Sequence, residues 1–128
     1  MITVDKIMSK DLCSVDVGTM VRKAAEMMRR ERVGSLLVKK MDEPIGIVTE
    51  RDLVWKVLGD QLDPDTTTIG MVMNAPLITV EAGQSLLEAN DRMDREAIRH
   101  LAVTEDGKVV GILSARDVLR YLEEIGGG

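Results

Sequence analysis

The sequence contains no phenylalanine, a single tryptophan (Trp55) and a single tyrosine (Tyr121). A core without aromatic rings must be built from Ile, Leu, Val, Ala and Met, and the nine methionines supply flexible side chains that fill irregular gaps. Cysteine occurs once, at Cys13, which excludes an internal disulfide and fits a reducing, cytoplasmic setting. Histidine also occurs once, at His100, so no Cys/His cluster with metal-ligand spacing exists and no metal is expected. No apolar run approaches the ~18 residues that span a bilayer. The opening Met1-Ile2-Thr3-Val4-Asp5-Lys6 lacks the basic-then-apolar pattern of a signal peptide. Lys and Arg number 17 against 22 Asp and Glu, a formal net charge of −5, which argues against a broad nucleic-acid or anionic-membrane surface. A local arginine site for an anionic ligand stays compatible with that balance. No nucleophile, base and oxyanion set is discernible, and Cys13 has no histidine near it in sequence, so neither an enzyme nor a catalytic cofactor is expected.

What is present is a repeat. With 45% hydrophobic and 30% charged residues the chain has a globular balance. An offset of 65 positions carries Gly46 onto Gly111 and Arg51-Asp52 onto Arg116-Asp117. Without a gap it also pairs Thr3 with Thr68, Met8 with Met73, Val15 with Val80, Ala24 with Ala89, Met28 with Met93, Leu36 with Leu101 and Val38 with Val103. About 15 identities in roughly 55 positions mark an internal duplication, which fixes the architecture before any local reading does. Two copies are too few for a solenoid and suit a pair related by a pseudo-two-fold axis.

Each copy reads as β-α-β-β-α. In the first, an extended piece over residues 12–15 passes through Gly18 into a helix over 19–32, whose Met20, Val21, Ala24, Met27 and Met28 recur at helical spacing. Apolar strands over 34–38 and 45–48 flank a turn at Asp42-Glu43-Pro44. A helix over 51–58 follows, with a Val54–Val57–Leu58 stripe and Gly59 as its stop. The second copy repeats this with strands over 77–80, 101–103 and 109–113, a turn at Glu105-Asp106-Gly107, and helices over 85–95 and 116–123. Residues 61–68 form the linker, so copy one is assigned to 1–64 and copy two to 65–128.

The chemistry concentrates in one seven-residue motif that occurs twice, Gly46–Asp52 and Gly111–Asp117. Thr49 and Ser114 stand where a helix N-cap belongs, and the Asp three residues on completes a capping-box-like pair. Capping alone accounts for one S/T-x-x-D. It does not require Arg51 and Arg116 in the first turn of both helices, where a cation opposes the helix dipole unless an anion lies between them. A carboxylate beside a phosphate site is placed to accept ribose hydroxyls. A phosphate or nucleotide ligand and plain helix capping both remain open at this level.

The duplicated unit resembles a CBS motif and the pair a CBS-pair (Bateman) module. The resemblance rests on Gly46–Asp52 and Gly111–Asp117, on residues 32–38 and 98–103, and on the openings at 4–8 and 69–73, and it covers nearly the whole chain. It implies an α/β (α+β) fold of two tandem units packed with pseudo-two-fold symmetry through small mixed sheets, leaving two clefts that take adenosine nucleotides. By the family rule one site combines Ile47, Thr49, Arg51 and Asp52 with Thr68, Met73 and Ile98. The other combines Ile112, Ser114, Arg116 and Asp117 with Thr3, Met8, Val33, Gly34 and Ser35. Arg99 and His100 add phosphate contacts, and because they replace Gly34-Ser35 of the first copy the two sites are expected to differ in affinity.

The resulting expectation is a cytoplasmic, non-enzymatic regulatory module that senses AMP, ADP or ATP as a homodimer and signals to an effector protein by a shift of conformation. A ligand-independent dimeric interaction module, or a sensor of S-adenosylmethionine or NAD(H), are the alternatives. Nucleic acid and membrane are not expected partners. Trp55 reads either as an exposed aromatic at a subunit contact or as a partly buried packing residue. The Met-rich helix reads as core and dimer surface.

Overall fold

Hydrophobic periodicity and short turns build each half of the protein, and a computed structural model describes residues 1–126 of the chain. The first copy comprises β1 (Ser14–Asp16), α1 (Val21–Glu31), β2 (Ser35–Lys40), β3 (Glu43–Thr49) and α2, which begins as Glu50–Asp52 and continues as π-helical Leu53–Leu58. The second comprises β4 (Thr79–Glu81), α3 (Leu86–Glu96), β5 (His100–Glu105), β6 (Lys108–Ser114) and α4 (Ala115–Gly126). A short 3-10 turn precedes each copy, at Val4–Lys6 and Ile69–Met71. The β-α-β-β-α order therefore appears twice, and the fold is α+β.

Each half carries a three-stranded mixed sheet, β1-β2-β3 and β4-β5-β6, in which the first pair is parallel and the second antiparallel. The parallel pair needs a crossover, and α1 and α3 provide it. The antiparallel pair closes through a tight turn. In the second copy Asp106 (φ 53°) and Gly107 (φ 79°) take the two left-handed positions that a two-residue hairpin turn demands. In the first copy those positions are Met41 (φ 51°) and Asp42 (φ 66°). The turn thus falls one to two residues before the expected Asp42-Glu43-Pro44, and Glu43 and Pro44 belong to β3. Pro44 is tolerated there because the ladder shifts register between Val38 and Lys39, next to the Lys39–Pro44 pair.

Helix starts follow side-chain chemistry. Ser85 caps α3 by accepting from the Glu88 amide at 3.1 Å, while Glu88 accepts from the Ser85 amide at 3.4 Å. Hydrogen bonds from Gln84 and Ser85 hold the Glu88 carboxyl below the usual carboxylate range. The start of α1 has no side-chain cap, and Arg22 reaches instead to Asp65, whose carboxyl it lowers. Both helices end on a left-handed residue, Arg32 and Ala97.

The chain divides into two compact units: Cys13–Leu77, and Met1–Leu12 together with the chain from Ile78. The 3-10 turn ahead of each copy is thus packed into the core of the other copy. Ile69 and Val72 are buried with Val15, Val21, Leu36, Val38 and Val48. Val4 is buried with Val80, Leu86, Leu101, Val103 and Leu113. Each lead-in then pairs with the middle of a hairpin strand, Asn74 with Ile47 and Ser9 with Ile112. That pairing explains the glycine beside each. A Cβ on Gly46 would lie 2.6 Å from the Asn74 carbonyl, and one on Gly111 2.9 Å from the Ser9 carbonyl.

The second helix of copy one departs from its expected face. Val57 is buried, but Val54 and Leu58 are exposed, so they do not form the apolar stripe expected with it. The cause is the widened π-helical turn, visible in the Gly59 amide bonding the Val54 carbonyl five residues back at 2.8 Å. Gly59 continues this helical backbone (φ −63°) rather than stopping it, and the reversal comes at Gln61 (φ 59°).

Candidate functional site

The two Gly-x-x-(Ser/Thr)-x-Arg-Asp motifs fold into the same junction in each unit. β3 delivers Thr49 and β6 delivers Ser114 at the strand end, where Thr49 pairs with Ser35 and Ser114 with His100. The following carboxylate turns back onto the strand. Asp52 accepts from the Thr49 amide at 2.8 Å and its amide donates to the Thr49 hydroxyl at 3.3 Å. Asp117 accepts from the Ser114 amide at 2.9 Å and its amide donates to the Ser114 hydroxyl at 3.1 Å. Both capping boxes are thus formed with Asp at N3. The loop before each middle strand lies against the same junction: the Glu50 amide donates to the Gly34 carbonyl at 2.9 Å and the Ala115 amide to the Arg99 carbonyl at 2.8 Å.

The other expected site residues distribute as follows. Within the unit of Thr49 and Asp52 the structure holds Ile47, Met73, residues 33–35 and Thr68. Met73 packs toward Gly46, and Thr68 is bridged to Met20 at the start of α1. Within the unit of Ser114 and Asp117 it holds Ile112, residues 98–100, Met8 against Gly111, and Thr3, bridged to Ser85 at the start of α3. Arg51 and Arg116 are both exposed. The Arg51 guanidinium lies 4.0 Å over the Trp55 ring, an i,i+4 cation–π contact that holds it along the helix. Trp55 is 62% exposed, so the expected packing role within the chain does not hold. Its counterpart at the 65-residue offset is Arg120, so Arg116 has a like charge at that position instead of a ring.

Two residues that sequence reasoning passed over complete the first junction. Asn74 donates to Asp52 Oδ2 at 2.7 Å. Lys56 Nζ stands 3.1 Å from Asp52 Oδ1 and donates to the Val72 carbonyl at 2.8 Å and to Asn74 Oδ1 at 3.3 Å. The signal for both was a break in the repeat: Asn74 faces Ser9 and Lys56 faces Tyr121 at the same offset. The Ser9 hydroxyl accepts from the Asp11 amide at 3.3 Å, and Tyr121 packs against the core of its unit. Among the described residues no group of His, Cys, Asp and Glu is arranged to hold a metal, and no helix is long and apolar enough to cross a membrane.

A duplicated β-α-β-β-α unit with exchanged lead-ins and a capped Ser/Thr–Asp junction in each half defines a tandem two-unit module. The CBS domain model matches residues 4–59 and 69–124, and the chain belongs to the CBS-domain family. An uncharacterized protein of Methanopyrus kandleri is 36% identical over 121 residues, covering 93% of this chain and 62% of its own length. The chain therefore spans under two-thirds of that relative. A conserved protein of Pyrococcus horikoshii has a similar structure, with a TM-score of 0.86, 31% identity and coverage of 93% of this chain and 90% of its own. A CBS domain protein of Pyrobaculum aerophilum, solved in complex with AMP, has a TM-score of 0.84, 27% identity and coverage of 99% of this chain and 100% of its own.

Proposed function

We propose that this protein is a non-catalytic regulatory module that binds an adenosine nucleotide at its Ser/Thr-x-x-Asp junctions and passes the bound state to an effector protein. The observation that carries this reading is the AMP complex of a relative matched over nearly the whole of both chains. The junction chemistry supports it. Each motif sets a hydroxyl, a carboxylate and an exposed arginine within one helical turn, the groups that phosphate and a ribose diol require. Thermal unfolding with AMP, ADP, ATP, S-adenosylmethionine and NADH tests it. Ligand at about 100 times its Kd adds about 2.7 kcal/mol, a rise of roughly 5–15 °C for a domain of this size. No shift with any of the five at millimolar concentration refutes the reading and leaves a ligand-independent interaction module.

The same module is proposed to act as a homodimer. On α4 the side chains of Leu119, Leu122 and Ile125 are 58%, 51% and 61% exposed, an apolar row at three-residue spacing that a second copy would cover. Leu122→Glu is expected to convert a dimer to a monomer in sedimentation velocity, since a charge cannot be buried unpaired at such a contact. An unchanged mass for the variant, or a monomeric wild type, removes this part of the proposal.

A further inference from the structure

The two copies share one motif, but their carboxylates differ in burial and in partners. Asp52 is only 7% exposed, whereas Asp117 is half-buried. Asp52 Oδ2 already accepts from the Thr49 amide at 2.8 Å, the Thr49 hydroxyl at 3.0 Å and Asn74 at 2.7 Å, and Oδ1 carries the Lys56 ammonium at 3.1 Å. An ammonium has three protons to donate, and the three acceptors of Lys56 (Asp52, Val72 and Asn74) use them all. Asn74 spends its second amide proton toward the Ile47 carbonyl at 3.5 Å. The cluster is closed on itself: Asp52 Oδ2 takes three donors, Oδ1 is held by the ammonium, and every proton of Lys56 and of the Asn74 amide is engaged. A ribose diol arriving at Asp52 would have to displace the charge-assisted contact that the half-buried Lys56 makes to this buried carboxylate, and would give back in broken bonds what it gains in new ones.

Asp117 has no counterpart of the Lys56–Asn74 pair among the described residues. Its position-matched neighbours are Ser9, whose hydroxyl is turned to the Asp11 amide, and Tyr121, which carries no ammonium and packs on the core. The backbone differs at the same place. The helix after Asp52 is π-helical over Leu53–Leu58 and includes Lys56, while the helix after Asp117 is α-helical throughout Ala115–Gly126. A single widened turn of this kind marks a local specialisation.

We infer that the protein takes one nucleoside ligand per chain, with its diol on Asp117, and that Lys56 and Asn74 act as a built-in occupant that closes the Asp52 junction. This assignment rests on the nucleotide-binding reading above and narrows it to one of the two motifs.

Calorimetric titration of the full chain with AMP tests it. The wild type is expected to bind one AMP per chain. Asp117→Asn keeps a side-chain acceptor for the cap but loses the charge, and it should weaken that binding by about 10- to 100-fold. The double variant Lys56→Tyr/Asn74→Ser gives copy one the residues of copy two, and the stoichiometry should rise to two. Lys56→Met alone, a milder change at an exposed-headed side chain, should yield a second, weaker event if the double variant does not fold. Two AMP per wild-type chain, full affinity in Asp117→Asn, or a folded double variant that still binds one would each overturn the assignment while leaving nucleotide binding intact. No heat with AMP in the wild type, joined to no thermal shift with the other four ligands, would overturn both.

Discussion

Ile69→Ala should lower the unfolding free energy by about 2–5 kcal/mol, the usual cost of emptying a fully buried isoleucine site, and the loss should appear in the wrong half of the sequence. Ile69 is 0% exposed and stands at the opening of copy two, yet its neighbours are Val15, Leu36, Val38 and Val48 of copy one. Urea unfolding gives the magnitude. Native-state hydrogen exchange gives the location, with amides of β2 and β3 losing more protection than those of β5 and β6. Val4→Ala should reverse the pattern with a smaller loss, because valine leaves a smaller void. Equal loss across both hairpins, or a loss confined to β5 and β6, would contradict the packing of the lead-ins.

Leu36→Ala and Leu101→Ala should each cost about 2–5 kcal/mol as well. The two residues are counterparts in the repeat, are 1% and 0% exposed, and stand at the same position of β2 and β5, facing Val48 and Leu113. Their costs should agree to within about 1 kcal/mol, since the variation at fixed chemistry reflects how far a site can collapse and these two sites have like walls. Against a whole-domain stability of about 5–15 kcal/mol, either change takes a large share. Denaturant midpoints for both variants, read with unchanged m-values, check this. A much larger cost at one site would mean that the two cores are less alike than their shared residues imply.

The repeat was legible because duplication leaves a register that neither burial nor loop variation erases. The offset of 65 aligned strands, helices and junctions at once, and every element it implied is present. The capping boxes were legible for a local reason: Thr49 and Asp52, or Ser114 and Asp117, are three residues apart and need only one helical turn to meet. What the sequence hid was non-local or depended on backbone detail. Val4 and Ile69 look like ordinary apolar residues before a strand, and only the three-dimensional path shows which core they fill. Val54 and Leu58 fit a helical stripe on a 3.6-residue period, and the π-helical turn rotates them outward. Asn74 lies 22 residues from Asp52, so its role could be read only from the place where the copies disagree, not from where they agree. Met41 and Asp42 make a left-handed turn without glycine, which hid the turn's position behind Pro44.

The exchanged lead-ins bear on modularity. Excised at the linker, the first copy would keep β1, β2 and β3 but leave behind Ile69, Val72 and Asn74, and with them the lid of its core and one edge of its hairpin. The second copy would likewise forfeit Val4 and the Ser9 pairing. Neither copy is therefore a portable part. The engineering unit is the pair, and grafting or truncation has to respect the chain's two crossings, after Leu12 and after Leu77, rather than the boundary that the repeat draws.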